Sequence, residues 1–223
     1  MASRTDRGVS ARGNALTLTA SLDGGPLLRA LNGIAPDLFF THAREVPPGF
    51  RPRRALGRWY RYYEPAADRD PALWQRAARE LVGRIDVRSF GRGLPSEAPT
   101  WREVRRIDVR PSGGFLEVDI EAPSFVWGMV RKMVAALRAV DNGTVSVERL
   151  IAAARGDSRL PLPLAEPEGL VLWEVSYPEP WGSARFTLTR HQRAERERTV
   201  RYARVRERVR SEIWGEMSPA DVP

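Results

Sequence analysis

The chain has 223 residues, 29% of them charged and 42% hydrophobic, the make-up of a folded protein with a substantial core in one or two domains. It has no cysteine, which excludes disulfides, thiolate nucleophiles and Cys-based zinc sites, and His42 and His191 lie far apart with no metal-ligand neighbour at short spacing. Its net charge is +8 and Lys132 is its one lysine; arginine grips phosphate with a planar fork and stacks on bases, so a polyanionic partner is expected, nucleic acid first, although a GC-rich genome leaves the same bias.

Taken in chain order, the first informative run is Arg4-Thr5-Asp6-Arg7-Gly8-Val9-Ser10-Ala11. An aspartate between two arginines, followed by glycine, can be read as a carboxylate held ionised on a tight turn, but residue types alone favour a plain turn. Ala15 to Ala20 alternates and predicts a strand. Gly25 to Leu31 predicts a short helix stopped by Asn32-Gly33. In Arg58-Trp59-Tyr60-Arg61-Tyr62 the two tyrosines share one face of a strand. Asp70-Pro71 supplies an N-cap and first-turn proline to a helix whose apolar face is Leu73, Trp74, Ala77, Ala78 and Leu81, ending before Gly83.

Thr100 to Glu103 has the form of a capping box, but the following hairpin wants a strand there. That hairpin is Ile107 to Val109 and Phe115 to Ile120 around Pro111-Ser112-Gly113-Gly114. Ser124 is positioned to cap a helix running through Met129, Val130, Met133, Val134 and Leu137 to Asn142-Gly143. Ser146 opens another, Val147 to Arg155, closed by Gly156, and Leu170 to Val175 is a further strand. Pro180-Trp181-Gly182-Ser183 breaks the chain before a long helix, His191 to Trp214, dense in Arg and Glu. Its single apolar stripe, Tyr202, Val205, Val209 and Ile213, is expected to dock it, with a basic face toward solvent or RNA backbone. No apolar run reaches the ~20 residues of a membrane span and Met1 opens no apolar leader, so a cytoplasmic protein is expected. The order of elements is that of an α+β fold with helices over an antiparallel sheet.

Four of these runs together resemble the TruA family of tRNA pseudouridine synthases. Arg4 to Ala11 resembles its R-T-D-x-G-V-[HS]-A signature, and Arg58 to Tyr62 its R-x-Y-R-Y motif. Phe125 to Val134 is similar to F-x-x-x-M-V-R-x-[IM]-V, and Glu168 to Pro178 to E-G-L-x-L-x-x-V-x-Y-P. The resemblance implies the pseudouridine synthase fold, two ferredoxin-like halves joined into one antiparallel or mixed sheet with the active site in the cleft between them. It divides the chain into a catalytic half carrying the Asp motif (1–66), a second half (67–180) and a basic helical extension (181–223).

The activity so implied is isomerisation of uridine to pseudouridine in the anticodon stem-loop of tRNA. Asp6, Arg131 and Tyr60 are then the catalytic residues: Asp6 the nucleophile or base at the ribose, Arg131 its partner, and Tyr60 the residue that packs against the uracil and helps to deprotonate C5. Arg4, Arg7, Arg58 and Leu170 are then the substrate-binding residues, a homodimer is expected, and the reaction needs no cofactor or metal. Family members carry a strand, a helix and a strand ahead of the Asp motif, whereas Met1-Ala2-Ser3 precede it here. An unpaired sheet edge is therefore expected beside Asp6, and a non-catalytic RNA-binding relative is the alternative reading. A DNA-binding protein would explain the charge but none of the four motifs.

Overall fold

The computed structural model describes residues 1–35, 38–95, 97–179 and 184–215. In chain order its elements are β1 (Ser10–Ala11), α1 (Gly24–Ile34), β2 (His42–Ala43), β3 (Gly57–Pro65), α2 (Pro71–Arg79), β4 (Gly83–Asp86), β5 (Trp101–Val104), β6 (Arg106–Ser112), β7 (Phe115–Ala122), α3 (Met129–Asp141), α4 (Val147–Arg155), β8 (Leu170–Ser176), β9 (Ala184–Arg185) and α5 (Arg190–Gly215). They fall into two compact units, residues 1–19 with 47–180, and residues 20–46 with 181–223.

The first unit is built on a five-stranded sheet in the order β1-β8-β3-β7-β6. All its pairings are antiparallel except that of β1, which runs parallel to β8. The alternation in β7 explains the layering: Leu116, Val118, Ile120 and Ala122 are buried on one face, where Tyr60, Tyr62, Ile107 and Leu172 join them. Trp74, Ala77 and Ala78 of α2 and Met133, Val134 and Leu137 of α3 complete that core.

The other face of the sheet is polar but paired. Arg61 of β3 stands directly opposite Asp119 of β7 and donates to both its oxygens, at 2.7 and 2.9 Å. Trp59 Nε1 donates to the same carboxylate at 2.8 Å, and Arg110 lies 2.9 Å from it. Burial works to raise the Asp119 carboxyl, but the bonds from Arg61 and Trp59 outweigh it and hold the group below the usual carboxylate range.

Local chemistry sets several boundaries as expected. Asp70 accepts from Ala72 N and Leu73 N at the start of α2, Ser146 accepts from Arg149 N at the start of α4, and Gly156 ends α4 in the left-handed region at φ 83°. Gly113 and Gly114, at φ 57° and 85°, make the two-residue turn between β6 and β7. Residues 101–104 form a strand paired with β4, not a helix start.

Three expectations fail. Residues 15–20 lie outside regular structure, and Leu16 and Leu18 are each 46% exposed; alternation alone cannot make a strand without a neighbour to pair with. Ser124 caps nothing, because the chain turns once more through Gly128 (φ 74°) before α3 begins at Met129. Asn32-Gly33 does not stop α1, which continues to Ile34; the Asn32 amide donates to the Leu28 and Phe40 carbonyls and ties the helix to the chain that follows.

In the second unit α1 buries Leu28, β2 pairs antiparallel with β9, and Phe39 meets Phe186 edge-to-face at 5.4 Å. The long basic helix is present as α5, with Arg196 lying 3.8 Å over the Phe39 ring. Its stripe is not buried as a docked face would be: Tyr202, Val205 and Val209 are 53%, 49% and 49% exposed. The chain break at Pro180 to Ser183 and the side chains of Ile213 and Trp214 lie outside the described residues.

Candidate active site

The Asp6 turn is fixed by backbone fit. Val9 N donates to Asp6 O at 3.0 Å, closing a four-residue turn whose third residue, Gly8, sits at φ 90°. A Cβ on Gly8 would also lie 2.9 Å from the Pro167 ring and the Glu168 carboxylate, so glycine is required there twice over. After the turn, β1 pairs with Val171 and Leu172, and Arg12 N and Gly13 N both donate to Leu172 O. The register of β8 against β3 shifts at this point, between Trp59 and Tyr60, leaving Trp173 as an extra residue. Such bulges bend a sheet locally and re-aim its side chains. Asn14 closes the loop on the other side, donating to Ser3 O at 2.8 Å and accepting from Ser3 N.

The carboxylate so presented has two donors. Arg131 NH1 bonds Oδ2 at 2.9 Å, and Trp127 Nε1 bonds Oδ1 at 3.0 Å. Arg131 stands on the first turn of α3, where its side chain is only 12% exposed, and its Nε donates to Ala165 O at 2.6 Å. The guanidinium is thus anchored at one end and offered to Asp6 at the other. Asp6 is 33% exposed, so a substrate can reach it. Asp6 and Arg131 are 125 residues apart in sequence, and the fold brings them into contact.

Tyr60 is buried within reach of the Asp6 charge, its ring edge-to-face with Phe125 at 5.2 Å and its hydroxyl 2.8 Å from Ser3 Oγ. Burial pushes the phenol above its ordinary value and the Asp6 carboxylate pushes the same way, while Ser3 and Arg58 oppose them. At neutral pH Tyr60 is therefore a neutral phenol.

The remaining candidates separate. Arg58 is buried and donates to the carbonyls of Pro123 (2.6 Å), Arg53 (2.6 Å) and Ala2 (3.3 Å), knitting the strand to the flanking loops. Leu170 is buried at the head of β8, in the same core as Tyr60. Arg7 is exposed on the turn itself, and Arg4 is exposed two residues ahead of it. Trp127 was not among the residues singled out from the sequence. It lies inside the third motif at a position the motif leaves open, so no pattern marks it. Among the described residues no group of His, Cys, Asp and Glu is placed to hold a metal ion, and no helix is long and apolar enough to cross a membrane.

Comparison with known proteins bears on this geometry. A sequence profile described as tRNA pseudouridine synthase matches residues 77–178. The chain is 38% identical over 180 residues to tRNA pseudouridine synthase A of Thermococcus kodakarensis, covering 79% of this chain and 67% of that protein. It is 34% identical over 223 residues to the protein of the same name from Methanococcoides burtonii, covering 98% of this chain and 79% of that one. The chain belongs to the tRNA pseudouridine synthase family. The name denotes isomerases, and the α+β fold with its mixed sheet agrees with that membership. Against the relatives from Thermococcus sibiricus and Pyrococcus furiosus the chain spans 66% of their length, about two thirds.

Proposed function

We propose that this chain isomerises uridine to pseudouridine in tRNA, at the anticodon stem-loop, with Asp6 acting at the ribose. The observation that carries the reading is the Asp6 carboxylate held between Arg131 and Trp127 beside the buried Tyr60. The reaction breaks the N1–C1′ bond, turns the uracil and joins C5 to C1′; the C5 proton is then lost and N1 regains one. No atom of substrate is exchanged for a cofactor's.

Cleavage needs an ionised carboxylate at the sugar, to attack C1′ or to take the C2′ proton, and both routes begin from the same group. Two donors fix the orientation of the Asp6 carboxylate, and each of its oxygens keeps a free lone pair. Tyr60, as a neutral phenol, serves as a wall of the uracil pocket, with Leu170 in the same core. The target nucleotide has to leave its stack to reach Asp6, at a cost of a few kcal/mol. The exposed Arg4 and Arg7 are suited to hold the phosphates on either side of it. A tRNA substrate implies work in the cytoplasm.

The test is incubation with unmodified tRNA transcripts followed by mapping of pseudouridine. The reading expects modification within the anticodon arm, abolished when uridines there are replaced by cytidine. Modification confined to another arm would refute the anticodon assignment, and none at all would refute the activity.

A further inference from the structure

Beside Asp6 stands a group of side chains whose solvent-facing parts the chemistry above does not use. Trp127 pins its indole N–H on Asp6 but is 54% exposed, so a ring of fixed orientation is displayed to solvent. The loop Gly91-Arg92-Gly93 is fitted to it: Arg92 N donates to Trp127 O at 2.9 Å, and the Arg92 guanidinium lies 4.8 Å over the indole. Glycine on either side permits this approach. A Cβ on Gly91 would lie 2.8 Å from Leu94 and Val126, and Gly93 sits at φ 60°, where a Cβ would stand in ordinary contact with the indole.

The second cation is Lys132, one turn into α3, whose N–H donates to Gly128 O. Arg92 Cβ is 3.7 Å from where a Cβ on Gly128 would stand, which brings the two cations to the same corner. Burial, and after it the charge of Arg92, holds the Lys132 ammonium below its ordinary value. Among the described residues neither cation has an acidic partner. Two cations that repel each other beside a displayed aromatic ring are suited to an anion attached to a flat ring.

We propose that Trp127, Arg92 and Lys132 form a subsite for the nucleotide adjoining the target uridine, the base stacking on the indole and the connecting phosphate lying between Arg92 and Lys132. The proposal rests on the RNA-modifying reading above. Turning one uridine out of its stack leaves the neighbouring base with a bare face, and an aromatic platform covers it whatever the base. The phosphate relieves the repulsion between the two cations. Because Trp127 also donates to Asp6, docking of the neighbour steadies the carboxylate that faces the turned-out sugar, so the subsite couples strand binding to catalytic geometry.

The test uses a tRNA transcript and two altered forms of it, one with an abasic nucleotide at either neighbour of the target and one with a neutral methylphosphonate at either adjoining linkage. Affinity by filter binding, KM and kcat are measured for the whole chain and its variants. In the parent an abasic site at one of the two neighbours is expected to weaken binding about 5- to 150-fold. Trp127→Ala is expected to weaken binding of the intact transcript by a similar factor and to be indifferent to the abasic site. Trp127→Phe keeps the ring but not the donor, so it retains affinity and loses kcat. Arg92→Ala combined with Lys132→Met is expected to be indifferent to the methylphosphonate that weakens the parent.

Equal abasic penalties in the parent and Trp127→Ala, in a parent that forms pseudouridine, would overturn the subsite alone. A parent that binds the transcript and never forms pseudouridine would overturn the catalytic reading, while the binding comparison still decides the subsite. All three side chains are partly or largely exposed, so melting temperatures of the variants should match the parent's.

Discussion

Arg131 bonds Asp6 with one guanidinium nitrogen while another holds the Ala165 carbonyl, so its removal exposes two faults at once. Arg131→Met leaves a carboxylate without its cation and a carbonyl without its donor. Each loss at a partly buried site costs about 1–3 kcal/mol. Asp6 is a third exposed, so water recovers part of this. We expect a lowered melting temperature together with a loss of turnover; a variant that melts and turns over like the parent would show that the pair is incidental.

Tyr60 makes a complementary prediction. A phenol whose pKa is raised by burial is protonated throughout the neutral range, and its phenolate grows only as pH rises through that raised value. If Tyr60 were the base for C5, kcat would climb steadily from pH 7 to 9 and Tyr60→Phe would abolish the climb. As a wall of the pocket it gives instead a flat profile over that range, and Tyr60→Phe stays within about tenfold of the parent, having lost one hydrogen bond to Ser3.

Among the elements, β3 carries Tyr60 on one face and Arg61 on the other, so its seating against β7 and β8 positions the site. The Arg61–Asp119 pair that fixes this seating is buried on both sides. Asp119→Ala strands the Arg61 guanidinium and is expected to cost about 3–5 kcal/mol, read from chemical denaturation. An effect under ~1 kcal/mol would mean that Arg61 finds Glu117, 3.2 Å away, as a sufficient substitute.

In α5, nine arginines against four glutamates leave a strongly cationic helix. Arg193, Arg201 and Arg204 lie along one stripe of it. If that stripe meets RNA phosphate, replacing the three with glutamine should shallow the salt dependence of tRNA binding by roughly 2–3 in log–log slope. An unchanged slope would confine α5 to a role apart from RNA.

The elements also show which signals a sequence carries. Asp70, Ser146, Gly156 and the Gly113-Gly114 pair act through bonds or dihedral angles within a few residues, and each ends or begins an element where its chemistry says it should. Ser124 and the 15–20 segment depend on where distant chain passes. The turn at Gly128 is set by packing near Leu164, and a Cβ there would lie 2.9 Å from that side chain. No local pattern reports such a contact.

Over the whole molecule the same division holds for the site. Asp6, Tyr60 and Arg131 come from a loop, a strand and a helix, and nothing in their separate surroundings announces a common site; the motif resemblance implies one, and the structure gives the Asp6–Arg131 contact at 2.9 Å. Residue-scale reasoning alone leaves Arg131 a helix residue of either exposure and Asp6 a turn former. Trp127 and Ser3 escaped both kinds of reading, since their parts depend on side chains converging from separate segments.

We propose that Asp6 does the chemistry and that the rest of the site serves it. Joining C5 to C1′ expels the hydrogen on C5, so tRNA carrying tritium at uracil C5 releases it to water with each turnover. Steady release is expected from the parent and none above background from Asp6→Asn, with tRNA affinity of the variant within a few-fold of the parent, because the exchange preserves shape and removes only the charge. Release by Asp6→Asn at even a tenth of the parent rate would contradict that proposal.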